Sequence, residues 1–130
     1  MLPTYIYNYV IYLLASLAMM SVFSLIYTKI TPYDEIKMIR EGKAAAALSF
    51  LGALIGFSLT LASSILHNDS FVAFAAWAGA AMIVQLAVYT VLSRLIPDMH
   101  DCLEKNNVAM GALLGGVSLT FGIINAACLS

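Results

Sequence analysis

Polar and apolar residues segregate along this chain into blocks. Residues 5–27, 44–66, 71–93 and 108–130 contain no Asp, Glu, Lys, Arg or His. Each block is 23 residues long, about 35 Å as a helix at about 1.5 Å per residue, which is enough to cross a hydrocarbon core of about 30 Å with some tilt. Four transmembrane helices are expected. The four residues 67–70 between spans two and three leave room only for a tight turn, so those spans should be antiparallel neighbours.

The two longer connections share a pattern. Lys29-Ile30-Thr31-Pro32 leaves the first span and Arg94-Leu95-Ile96-Pro97 the third, 65 residues later. Thr31 is placed to cap a short helix with Pro32 at its first position, Tyr33, Ile36 and Ile39 recur at helical spacing, and Gly42 follows as a stop. In the second connection Met99, Cys102 and Leu103 make the apolar side, and Asn106 and Asn107 end it. The expected fold is therefore an all-α membrane protein of one domain, residues 1–130. It consists of two tandem helical hairpins in the same orientation (1–65 and 66–130) with short amphipathic cytoplasmic helices.

Composition agrees with this architecture. Charged residues make up 10% of the 130, against roughly 25% in soluble proteins, so a water-facing surface cannot be assembled. Charge also orients the chain: Lys29, Lys37, Arg40, Lys43, Arg94 and Lys105 all lie in the two longer connections, which places those connections in the cytoplasm and both termini outside it. No basic region precedes the first span, which is too long for a signal-peptide core and is expected to remain in the mature protein. Cys102 and Cys128 fall on opposite sides and cannot pair within one subunit. No basic patch suggests nucleic acid.

Spans two and four each present a face without bulk. Ala45, Ser49, Gly52, Gly56, Thr60 and Ser63 step by three or four residues on one, and Gly111, Gly115, Ser118, Gly122 and Ala126 on the other. Such faces let helix backbones approach closely where lipid supplies no hydrophobic drive. Spans one and three are bulkier, with Met19, Met20, Phe23 and Leu25 on one and Ile83, Val84, Leu86 and Val91 on the other. They are expected to be the lipid-facing pair, with Tyr5, Tyr9, Tyr12, Phe71, Phe74 and Trp77 in an outer aromatic belt.

Several phrases carry a resemblance to a known family. The Ile30-Thr31-Pro32 turn followed by Asp34 and Glu35, the phrases Trp77-Ala78-Gly79 and Val84-Gln85-Leu86, and the closing Ile124-Asn125-Ala126-Ala127-Cys128 resemble the YjfL-type family. Its members are small four-helix bacterial inner-membrane proteins of unknown function, built from a duplicated two-helix unit. The resemblance implies a bacterial inner membrane and a setting beside envelope-stress components. It implies no catalytic residues.

No ionisable residue lies within a span, which weighs against coupled transport, since that chemistry relies on buried titratable groups. Gln85 and Asn125 each admit two readings, polar glue between helices or the lining of a conduit in an oligomer. Asp98, His100, Asp101, Cys102 and Glu104 lack a second histidine and read as a solvated face rather than a metal site. No nucleophile-base set, P-loop or dinucleotide fingerprint is present, so neither an enzyme nor a cofactor is expected.

Two functional expectations follow. The first is a non-catalytic, homo-oligomeric anchor or regulatory component in the lipid bilayer. It would present Pro32, Asp34, Glu35, Lys37, Arg40 and Pro97 to a cytoplasmic protein partner. The alternative is an oligomeric pore or lipid conduit lined by Gln85, Asn125, Thr60 and the glycines Gly52, Gly56, Gly111, Gly115 and Gly122.

Overall fold

A computed structural model describes residues 2–30, 35–68, 70–96 and 98–129. All regular structure among them is helical: α1 (Leu2–Ile30), α2 (Glu35–Arg40), α3 (Ala44–His67), α4 (Phe71–Leu95), α5 (Met99–Glu104) and α6 (Val108–Cys128). Helices α1, α3, α4 and α6 are long and apolar enough to cross a membrane. The expected capping positions Thr31 and Pro32 lie outside the described residues.

Local chemistry sets where these helices start and stop. The Ser70 hydroxyl accepts from Ala73 N at 3.1 Å and opens α4, and the Asn107 side chain accepts from Met110 N at 3.2 Å and opens α6. Helix α2 stops at Gly42, whose φ is +82°, with Gly42 N bonded to Ile39 O and Lys43 N to Met38 O. Helix α5 stops in the same way at Asn106, whose φ is +59°, with Asn106 N bonded to Leu103 O and Asn107 N to Cys102 O. Both are Schellman endings, in which a left-handed residue lets two amides satisfy orphan carbonyls; glycine and asparagine are the residues that tolerate that φ.

Helix α3 is the hub. It runs parallel to α6: Gly111 stands against Ala45, Gly115 against Leu48 and Gly52, and Gly122 against Gly56. Near the far end the Ser63 hydroxyl donates to Ala126 O at 2.6 Å. A Cβ on Gly52, Gly111, Gly115 or Gly122 would fall onto backbone atoms of the partner helix, so the two backbones touch along the expected small-residue faces.

The bulky spans depart from expectation in part. Leu25, Ile83, Val84 and Val91 are exposed, but Phe23 and Phe74 are 0% exposed and belong to neither a lipid face nor an interfacial belt. Phe23 stacks on Phe57 of α3 with centroids 4.7 Å apart, and Phe74 meets Tyr12 edge-on at 5.2 Å. Where two helices cannot approach backbone to backbone, rings fill the wider gap between them. Helix α4 also buries one face, through Phe74, Ala78, Ala81, Gln85 and Tyr89. Helix α1 is the peripheral element, buried fully only at Phe23 and Tyr27.

Candidate functional site

The chemistry-bearing residues gather in two places, a polar point inside the seam and a platform at the end where α2 and α5 lie. In the seam, Gln85 of α4 is 2% exposed and donates through Nε2 to Ser118 O of α6 at 3.2 Å. Gly56 of α3 makes the space: a Cβ there would stand 2.9 Å from Gln85 Nε2. Turning the amide over would set two carbonyl oxygens face to face, so the bond to Ser118 fixes its orientation. Gln85 Oε1 has no hydrogen-bond partner among the described residues.

Of the two readings of Gln85, this placement favours polar glue between helices. A ring of Gln85 side chains lining an axis between subunits needs an outward-facing amide, whereas this one is enclosed by three helices of its own chain. Thr60 is likewise turned inward, its hydroxyl 2.7 Å from Phe57 O within its own helix. Asn125 is half-buried, and its Nδ2 is buried without a hydrogen-bond partner among the described residues. The structure does not bring Asn125 together with Gln85 by any hydrogen bond it records among the described residues.

At the other end the two loop helices are fastened to the bundle. Met38 of α2 and Met99 and Leu103 of α5 are buried. Ile36, expected on the apolar side of α2, is instead 45% exposed, whereas Ile39 is partly buried against the core as expected and Met38 is buried beside it. The N-terminus of α3 has no cap from Lys43. Its Ala45 N donates instead to Asn106 Oδ1 at 3.0 Å, and Lys43 Nζ donates to Glu104 O at 3.2 Å. Asn106 therefore does two jobs, ending α5 with its backbone and capping α3 with its side chain.

Above this platform lies a buried polar chain. Tyr27 and Ser49 hydroxyls are 3.1 Å apart, the Tyr27 and Tyr89 rings meet edge-on at 5.0 Å, and the Tyr89 hydroxyl lies 3.4 Å from His100 Nδ1. His100 is thus engaged with α4 rather than simply solvated, while Asp101 and Glu104 remain exposed. Sequence reasoning missed Tyr27 and Tyr89, and placed Ser49 only in the small-residue face and Asn106 only at the end of α5. The position of Asn106 in an Asn-Asn pair after a helix was the one available signal, and it pointed only to the ending of α5. Of the expected interaction residues, Lys37 and Arg40 are exposed on α2 and Glu35 begins it. Pro32, Asp34 and Pro97, and the side chain of Glu35, lie outside the described residues.

A family model described as Domain of Unknown Function (DUF350) matches residues 1–129. This chain belongs to the DUF350 family. Two DUF350-like relatives agree with it: the protein named UPF0719 inner membrane protein YjfL of Escherichia coli K12 and its counterpart in Escherichia coli O157:H7. Each is 34% identical over 119 residues, covering 92% of this chain and 90% of the relative. No solved structure matches. With its four apolar helices, this DUF350 member is a multi-pass inner-membrane protein.

Proposed function

We propose that this protein is a non-catalytic membrane anchor, a bilayer-embedded base that holds a protein partner at the end where α2 and α5 lie. The observation that carries the reading is the fastening of α2 and α5. Met38, Met99 and Leu103 are buried, and Asn106 caps α3 from the opposite loop. Lys37, Arg40 and Glu41 on one side and Asp101, Glu104 and Lys105 on the other stand exposed. A rigid polar platform on an apolar stem suits docking, because little ordering entropy remains to be lost on binding.

Four finer parts belong to this reading. The platform faces the cytoplasm and both termini face away from it, because all six Lys and Arg lie at that end. The chain is two copies of one two-helix unit, which the twin Schellman endings at Gly42 and Asn106 support. The protein is a homo-oligomer. The faces of α3 and α6 consume each other within one chain, but Ala112, Gly116 and Thr120 form a second, exposed small-residue stripe on α6. The envelope-stress setting implied by the family resemblance concerns the partner's identity.

The test is a pull-down in gentle detergent from cells bearing wild type, a Lys37→Glu/Arg40→Glu variant and an Asp101→Lys/Glu104→Lys variant. A protein that co-purifies with wild type and is lost from either variant supports the reading; a profile unchanged by both overturns it. In the same cells, a cysteine introduced at Ser70 should be labelled from outside by an impermeant thiol reagent while Cys102 is not. The reverse pattern overturns the orientation.

A further inference from the structure

Helices α1 and α3 meet through the rings of Phe23, Tyr27, Phe50 and Phe57 and leave a groove of about 620 Å³ along the outside of the bundle. Leu17, Met20 and Leu25 of α1 and Phe50 and Leu54 of α3 line it, and Ile36 of α2 lines it at the end nearest the first connection. The size falls within the roughly 300–1,000 Å³ of ligand pockets. Its few hydroxyls are already committed: Ser21 donates to Leu17 O at 2.9 Å, Ser24 to Met20 O at 2.9 Å and Thr28 to Ser24 O at 3.0 Å. A hydrocarbon chain therefore meets no unsatisfied polar donor along these walls.

Apolar walls accept any acyl chain, so selection must come from the end of the groove. Lys29 follows Leu25 by four residues on α1, and Arg40 follows Ile36 by four on α2. Each cation thus stands one helical turn beyond a groove-lining side chain and on the same helix face, and both are exposed. A second apolar groove, of about 350 Å³, runs between α4 and α6 and reaches Leu95. Its neighbouring connection has the opposite balance. Residues 94–105 hold two cations against three carboxylates, whereas residues 29–43 hold four against three. The two grooves share their apolar chemistry and differ in the charge at the end.

We propose that the α1/α3 groove is a binding site for an anionic phospholipid, with an acyl chain along Leu17, Met20 and Leu54 and the phosphate at Lys29 and Arg40. This goes beyond the anchor reading and stands without it. Each cation near a membrane surface attracts anionic lipid by about 1 kcal/mol, so losing two should lower the preference for anionic over zwitterionic lipid roughly 30-fold.

The experiment is native mass spectrometry of the full chain in detergent, titrated with phosphatidylglycerol and phosphatidylcholine of identical acyl chains, with melting curves to verify that each variant is folded. Wild type should retain phosphatidylglycerol preferentially. Lys29→Gln/Arg40→Gln should lower that preference by about the factor given, Arg94→Gln/Lys105→Gln should leave it, and Leu54→Trp should weaken retention of both lipids by filling the groove. The proposal is overturned if the two charge variants behave alike, because the attraction is then diffuse. Unchanged retention in Leu54→Trp would also overturn it, as would a polypeptide, or a second copy of this chain, that occupies the groove in place of lipid and is displaced by that substitution.

Discussion

Gly115 and Gly116 are neighbours on α6, one buried against α3 and the other exposed, and they allow one chemical change to be made in two environments. A Cβ on Gly115 would fall onto the carbonyl oxygen of Leu48 and also stand 3.1 Å from Leu48 C. A Cβ on Gly116 would meet nothing within 4 Å. Overpacking typically costs about 1–3 kcal/mol. The obstacle at Gly115 is main chain of a packed helix, which cannot swing aside as a flexible side chain does, so Gly115→Ala belongs at about 3 kcal/mol. Within one subunit Gly116→Ala removes a flexible residue from a helix without a clash, so at detergent concentrations that keep the protein monomeric it should be neutral or stabilising by up to about 1 kcal/mol. For a chain of this size the first change lowers the melting temperature by on the order of 10 °C. Thermal denaturation in detergent, followed by circular dichroism, reads both variants against wild type. Equal melting temperatures for the two alanine variants would refute the backbone-contact account of the seam. Destabilisation by Gly116→Ala with tolerance of Gly115→Ala would refute it equally, and would move the close contact to the outer face of α6.

Two further outcomes follow from the polar contacts. Asn106→Ala loses both the cap on Ala45 N and the residue that tolerates a φ of +59°, whereas Asn106→Gly loses only the cap, so alanine should cost more than glycine, by about 1 kcal/mol; chemical denaturation of the two variants that ranks them in reverse removes the dual role. Gln85→Leu should change stability by less than about 1 kcal/mol, because it removes an unpartnered Oε1 together with a single hydrogen bond to Ser118, and it should leave proteoliposomes as impermeable to small solutes as wild type. A Gln85→Leu variant with altered solute flux would return the amide to a permeation path.

The seam between α3 and α6 was legible in the sequence because it depends on the absence of side chains. Glycine at a spacing of three or four residues marks close approach whichever residues surround it. The inward placement of Phe23 and Phe74 was not legible for the complementary reason. In a span that is apolar all round, a phenylalanine is at home against lipid or against protein, and the pattern carries no contrast between the two. Ile36 was misplaced, and Met38 passed over, in a helix too short for periodicity to select a face. The polar point at Gln85 was visible as a residue type, but its enclosure depends on Gly56 of one helix and Ser118 of another, which no local window contains. The cap from Asn106 to Ala45 joins residues 61 positions apart, beyond the reach of any helix-start rule read along the chain.

That long-range cap has a consequence for biogenesis. Helix α3 leaves the ribosome with its leading amides unsatisfied, and Asn106 follows 61 residues later, an interval of roughly 3 to 12 s at about 5–20 residues per second. For that interval the first hairpin has its α6-facing glycines bare and its Ala45 amide without the Asn106 cap. Completion of the first half of the chain is thereby tied to synthesis of the last loop, and a chain truncated before residue 106 lacks both the seam partner and the cap.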